Sequence, residues 1–112
     1  MSESLKKNQD FQKVYKNSKS YANKYLVMYI LENGLDRNRL GISVSKKVGN
    51  SVVRHRLKRL VKESYRLNES VFRDGLDIVV VVRVSAKGIS YNDMQSAFFH
   101  LLKMHGIEKE MI

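Results

Sequence analysis

Between Lys24 and Glu32 apolar side chains fall on both parities of the chain, Tyr25, Val27, Tyr29 and Leu31 on one side and Leu26, Met28 and Ile30 on the other. Such a run predicts a strand covered on both faces, and Asn33-Gly34 follows it as a turn. Arg39 to Ser45 instead alternates Leu40, Ile42 and Val44 with Gly41, Ser43 and Ser45. It predicts a second strand with one face of small residues, which leaves room for something to lie against it. Asp74-Gly75 turns the chain into a third strand, Asp77 to Val84. Elsewhere the period is helical. Asn8 is placed to cap a short helix in which Phe11, Val14 and Tyr15 share a face, ending near Asn17. Gly49 and Asn50 interrupt the chain after the second strand, and Asn50 or Ser51 caps a helix running to about Asn68. At about 100° per residue, Val53, Leu57, Leu60, Val61, Ser64 and Leu67 share one arc of it. Ser90 and Asp93 have the spacing of a capping box, and Tyr91, Met94, Phe98, Leu101 and Leu102 follow the i, i+3, i+4 rule up to a stop at Gly106.

The predicted order is therefore α-β-β-α-β-α, a single α+β domain over residues 1–112 with a small mixed sheet packed by helices. There is no repeat, no linker and no proline. With 112 residues, 43% of them apolar, the chain is long enough to fold around its own core. By the general rule, the strand-helix-strand unit from Leu40 to Val84 is right-handed.

Charge changes this picture from a fold to a surface. Between Lys46 and Arg66 stand eight Lys/Arg residues and one acid, Glu63. Arg54, His55, Lys58, Arg59, Lys62 and Arg66 lie roughly opposite the apolar arc of the helix, where a merely soluble helix intersperses acids to gain i,i+4 pairs. Like charges crowded on one face are tolerated when a polyanion relieves them. The formal charge of +10 is one-sided too, since residues 1–66 hold 16 Lys/Arg and 5 Asp/Glu, against 5 and 6 in the remainder. The N-terminal lysines, Lys6, Lys7, Lys13, Lys16 and Lys19, are read as electrostatic steering without a specific site.

Several classes drop out. Without cysteine there is neither a disulfide nor a thiolate zinc site, which fits a reducing interior. The apolar runs are too short to span a bilayer and Met1 to Gln9 lacks an apolar signal core, so a soluble cytoplasmic protein with no membrane contact is expected. His100 and His105 have no acidic partner at ligand spacing, and Gly41 and Gly49 form no phosphate-cradling motif. The two histidines are expected to be surface or core-edge residues, and neither a metal site nor a small-molecule substrate is expected in the chain.

Ser43-Val44-Ser45-Lys46-Lys47-Val48-Gly49-Asn50, followed by Arg54-His55-Arg56-Leu57-Lys58-Arg59-Leu60-Val61-Lys62, resembles the signature of the bacterial ribonuclease P protein subunit. Asp10 to Tyr15 resembles that family's first helix, Ala22-Asn23 and Tyr29 its first strand, and Asp77 to Arg83 its late strand. The family's helix usually reads Arg-Asn-Arg-x-Lys-Arg-x-x-Arg; here His55 replaces Asn and Lys62 replaces Arg. Lys62 keeps the charge without the bidentate fork, and His55 becomes partly cationic below about pH 6.5.

The resemblance implies a subunit of an endonuclease that hydrolytically removes the 5′ leader of precursor tRNA, with the catalytic RNA subunit and its Mg²⁺ carrying the chemistry and no catalytic residue in this chain. It implies a left-handed crossover in place of the default. It also implies two RNA-binding surfaces. Lys46, Lys47, Arg54, His55, Arg56, Lys58, Arg59, Lys62 and Arg66 would meet RNA, the basic helix docking on the catalytic RNA. Phe11, Tyr15, Val27, Tyr29 and Ser43 would form the cleft for the single-stranded leader. The residue types suit this: Phe11, Tyr15, Tyr25, Val27 and Tyr29 beside Gly41 and Ser43 offer a stacking platform, and each stacked base gains about 1–3 kcal/mol with little sequence preference. Lysines and arginines position phosphates without reading bases, so affinity should depend steeply on salt. Two other readings use the same residues, a structural rRNA-binding protein and a protein-only ribonuclease with His55 and His100 as acid and base.

Overall fold

Five strands form one mixed sheet in the order β1-β4-β5-β3-β2 in the computed structural model, which describes residues 2–106. They are β1 (Ser2–Ser4), β2 (Lys19–Ala22), β3 (Leu26–Glu32), β4 (Asn38–Val44) and β5 (Leu76–Val82). The helices are α1 (Asn8–Asn17), α2 (Ser51–Asn68) and α3 (Tyr91–His105). β4 runs parallel to β1 and β5, while β3 is antiparallel to β5 and β2.

The fold is α+β, as the pattern predicts, with two strands more than expected. β1 and β2 are short edge strands of polar sequence, Ser-Glu-Ser and Lys-Ser-Tyr-Ala, and carry no apolar alternation. Backbone pairing places them, Ser4 opposite Leu40 and Ser20 opposite Tyr29.

The sheet divides two cores. On one face Leu26, Met28, Ile30, Ile78 and Val80 meet Leu57 and Val61 of α2 and Met94, Phe98 and Leu101 of α3. On the other face Leu5, Val14 and Val79 form a small second core under α1. Alternation along β3 and β5 therefore feeds both sides, which is why their sequences read as continuous apolar runs.

The helix boundaries follow from their caps. Asn50 Oδ1 accepts the Val53 N–H at 3.0 Å, Ser90 Oγ accepts the Asp93 N–H at 3.1 Å, and Gly106 closes α3 at φ 64°. Asn8, expected as the cap of α1, is its first helical residue; Lys7 takes the cap position and gives no side-chain bond. On α2, Tyr65 joins the buried arc, whereas Leu67 is 48% exposed, because the helix's last turn runs past the edge of the core. β5 ends at Val82 and Val84 lies in a 3₁₀ turn, 57% exposed.

One buried ion pair ties the sheet together. Asp77 is 2% exposed and accepts two bonds from the Arg39 guanidinium, at 2.8 and 2.7 Å, and one from Asn33 Nδ2 at 2.9 Å. Burial pushes its carboxyl up, but the bonds from Arg39 and Asn33 outweigh this and hold it below the usual carboxylate range. The histidines lie where expected, His100 on the surface and His105 at the core edge, its Nε2–H donating to the Met28 carbonyl at 2.8 Å.

Candidate nucleic-acid interface

Sheet register places the furrow residues in two rows. Gly41, Val79 and Tyr29 are successive partners across β4, β5 and β3, and Ser43, Val81 and Val27 are the next row on the same face. α1 lies over the first row. Its Phe11 ring sits directly on Gly41, where a Cβ would come within 2.7 Å of the ring. The small-residue face predicted for this strand is thus filled, at Gly41, by an aromatic ring of the same chain. Tyr15 meets Phe11 at 6.3 Å and Tyr29 edge-on at 4.9 Å between centroids. All three rings remain partly exposed, so the wall they form is packed behind and open in front.

Beside this wall is a cleft of about 440 Å³ lined in part by Phe11, Tyr15, Ser43 and Lys58. Burial pushes the Tyr15 phenol up in pKa, and the Ser43 hydroxyl acts against it, so Tyr15 presents a protonated hydroxyl at neutral pH. Val27 and Tyr29 continue the surface along the rows rather than lining the cleft. Tyr25 does not belong to it. Asn23 Oδ1 accepts the N–H groups of Tyr25 and Leu26, at 3.1 and 2.9 Å. This turn takes Tyr25 out of the strand alternation and packs its ring against the other core.

The sequence pattern missed several contributors, Ile42 and Val44 of β4 among them. Asn8 and Gln12 line the cleft, and their i, i+3, i+4, i+7 spacing with Phe11 and Tyr15 was a usable signal. Val81 forms part of the floor between Ser43 and Val27, concealed in the all-valine run. Lys6 reaches the cleft only because β1 anchors the chain beside β4.

α2 borders the cleft and carries seven of the nine residues expected to meet RNA at its basic surface, all but Lys46 and Lys47. Its residues His55, Lys58, Arg59 and Lys62 are exposed; among the described residues none of them forms an ion pair with an acid. Two others are engaged internally. Arg56 Nη2 donates to the Ile89 carbonyl at 2.7 Å, and Arg66 pairs with Glu63, whose carboxyl it holds below the usual range. Arg54 is half-buried and its Nε has no hydrogen-bond partner among the described residues. Lys46 and Lys47 project from a turn pinned by buried Val48. His55 and His100 sit in different surroundings, the first in a shallow depression with Arg56 and Arg59, the second against Asn23 with Nδ1 at 3.4 Å.

Fold and surface together define a class, a small basic α+β domain in which a helix with an exposed cationic face flanks a ring-lined furrow. The profile of the Ribonuclease P family matches residues 1–106. The ribonuclease P protein component of Lachnoclostridium phytofermentans is 64% identical over 107 residues, covering 96% of this chain and 92% of that one. That of Clostridioides difficile is 53% identical over 100 residues, with 88% of each covered. The structure of the Staphylococcus aureus RNase P protein is similar with a TM-score of 0.88 at 39% identity, covering 95% of this chain and 97% of that one. The chain belongs to the family of bacterial ribonuclease P protein components, and so to a ribonucleoprotein nuclease that processes tRNA.

Proposed function

We propose that this chain binds the catalytic RNA of ribonuclease P through the exposed cations of α2 and receives the single-stranded 5′ leader of precursor tRNA in the furrow between α1 and the sheet. The observation that carries this reading is the contiguity of two unlike surfaces. Lys58 stands on the cationic helix and also lines the cleft of Phe11 and Tyr15. Rings hold bases with little sequence preference, while neighbouring ammonium groups hold phosphates. In this reading Lys46, Lys47, Arg54, His55 and Arg59 meet the backbone of the catalytic RNA, Lys58 and Lys62 meet RNA on the side of α2 that faces the grooves, and Arg56 and Arg66 contribute charge from positions their own chain already fixes.

Phosphodiester hydrolysis, leaving a 5′-phosphate on the tRNA, is assigned to the RNA partner and its Mg²⁺. In this reading the chain's part is to hold and orient the strand. No described helix is long and apolar enough to cross a membrane. As a member of the bacterial ribonuclease P protein family, the chain is placed in the cytoplasm in this reading. The test is cleavage of a precursor tRNA at low Mg²⁺ by the RNA alone, the chain alone and the two combined. The combination should cleave efficiently and the chain alone not at all; cleavage by the chain alone would overturn the assignment.

A further inference from the structure

The furrow does not end at β4. A second groove, about 460 Å³, lies between β1 and α2, and it shares Lys6, Ile42 and Lys58 with the furrow. The two are chambers of one trough that crosses β4 over Ile42, with Lys6 on one bank and Lys58 on the other. The second chamber has an apolar floor, Leu5 and Leu40, and a further cation, Lys62, one turn along α2. Lys58 and Lys62 are about 6 Å apart along the helix axis, so each can hold a separate phosphate. All three lysines are exposed; among the described residues none is ion-paired. Of the acids in the groove, Glu3 is held by Arg37 at 2.8 Å, and Glu69 lies nearly two turns beyond Lys62, where the cationic track stops.

We infer that the second chamber extends the single-stranded RNA site. A strand leaving the aromatic furrow passes between Lys6 and Lys58, lays its next nucleotide against the partly exposed Leu40, and gives its phosphate to Lys62. This rests on the leader-binding reading above. Its occupant is the same strand, because the two chambers share three lining residues and the charge of the passage between them is positive. Stacking dominates in the furrow; in the second chamber binding is by charge and apolar contact, and should tolerate any base.

The chain contains no cysteine, so single thiols can be introduced without background. Ser4→Cys lies in the second chamber and Gln12→Cys in the furrow. Each is labelled with a thiol-directed photocrosslinker, assembled with the catalytic RNA and given precursor tRNA with a long leader. Crosslinks from both positions to the leader, at nucleotides next to one another, are expected. A leader crosslink from position 12 with none from position 4 overturns the extension and leaves the furrow reading standing; no leader crosslink from either overturns both. As a second measurement, Ser4→Glu places a negative charge in the chamber. It should weaken binding of a long-leader precursor and leave a precursor whose leader ends within the furrow unaffected. For the long leader the slope of log K against log salt should become shallower by about 0.7 for each phosphate the variant no longer holds. Equal binding of the long leader by Ser4→Glu and the parent chain would count against the extension.

Discussion

Gly41 decides the geometry of the furrow more than any ring does. Phe11 Cζ and Cε1 would lie 2.7 and 2.9 Å from an added Cβ, with Leu5 Cβ at 3.1 Å. The ring tip can swing outward, whereas Leu5 is buried and yields less. Gly41→Ala is therefore expected to cost about 1–3 kcal/mol in a urea melt and to tilt Phe11 out of the wall. Its distinguishing effect is a loss of affinity for precursor tRNA with mature tRNA unchanged. Phe11→Ala should show the same selectivity, losing about 1–3 kcal/mol of stacking. Equal losses for both tRNAs, measured by filter binding to the holoenzyme, would place the ring outside the leader path. That Gly41 has this role was not legible from the strand pattern, which showed an unfilled small-residue face and could not say that α1 returns to fill it.

Within α2, cations of similar sequence context have different duties. Lys58 and Arg59 point to solvent, so their alanine variants should melt like the parent while assembly with the catalytic RNA weakens. Arg56 is tied to the Ile89 carbonyl, and Arg56→Ala is expected to cost about 1 kcal/mol of stability in addition to any loss of RNA affinity. Chemical denaturation alongside RNA titration separates the two. The amphipathic division of α2 was readable at 3.6-residue spacing, with the buried side at Leu57, Val61 and Ser64. Its errors, Tyr65 and Leu67, fall in the last two turns, where the extent of the neighbouring core rather than the helical period sets burial. The same limit applies to β1 and β2, whose polar residues give no periodic signal and which exist because β4 and β3 offer them a backbone edge.

At the scale of the whole molecule a cationic body packs around two apolar cores, with the buried Asp77 carboxylate paired to Arg39 across β5 and β4. Because Asp77 titrates below its ordinary value of 3.8 in the folded chain, its contribution is fully present above that value. It is lost as pH falls through the depressed folded value. Through Asp77, urea midpoints of the parent chain should hold from neutral pH down to its ordinary value of 3.8 and fall steeply below it. Asp77→Asn should be less stable at neutral pH but flatter, the two curves converging in acid; parallel curves would dismiss the linkage. With a net charge of +10, assembly with RNA should also weaken steeply between low and physiological salt, read as the slope of log K against log salt. Much of this molecule follows from local chemistry: apolar periods, caps at Asn50 and Ser90, a stop at Gly106, and a run of cations with one acid are properties of neighbouring residues, and they yield the three helices, the three long strands and the cationic face of α2. Contacts between distant segments yield the rest. Asp77 finds Arg39 38 residues away, α1 seats Phe11 on Gly41, and β1 brings Lys6 opposite Lys58, because pairing and packing bring together groups whose relation no local period encodes.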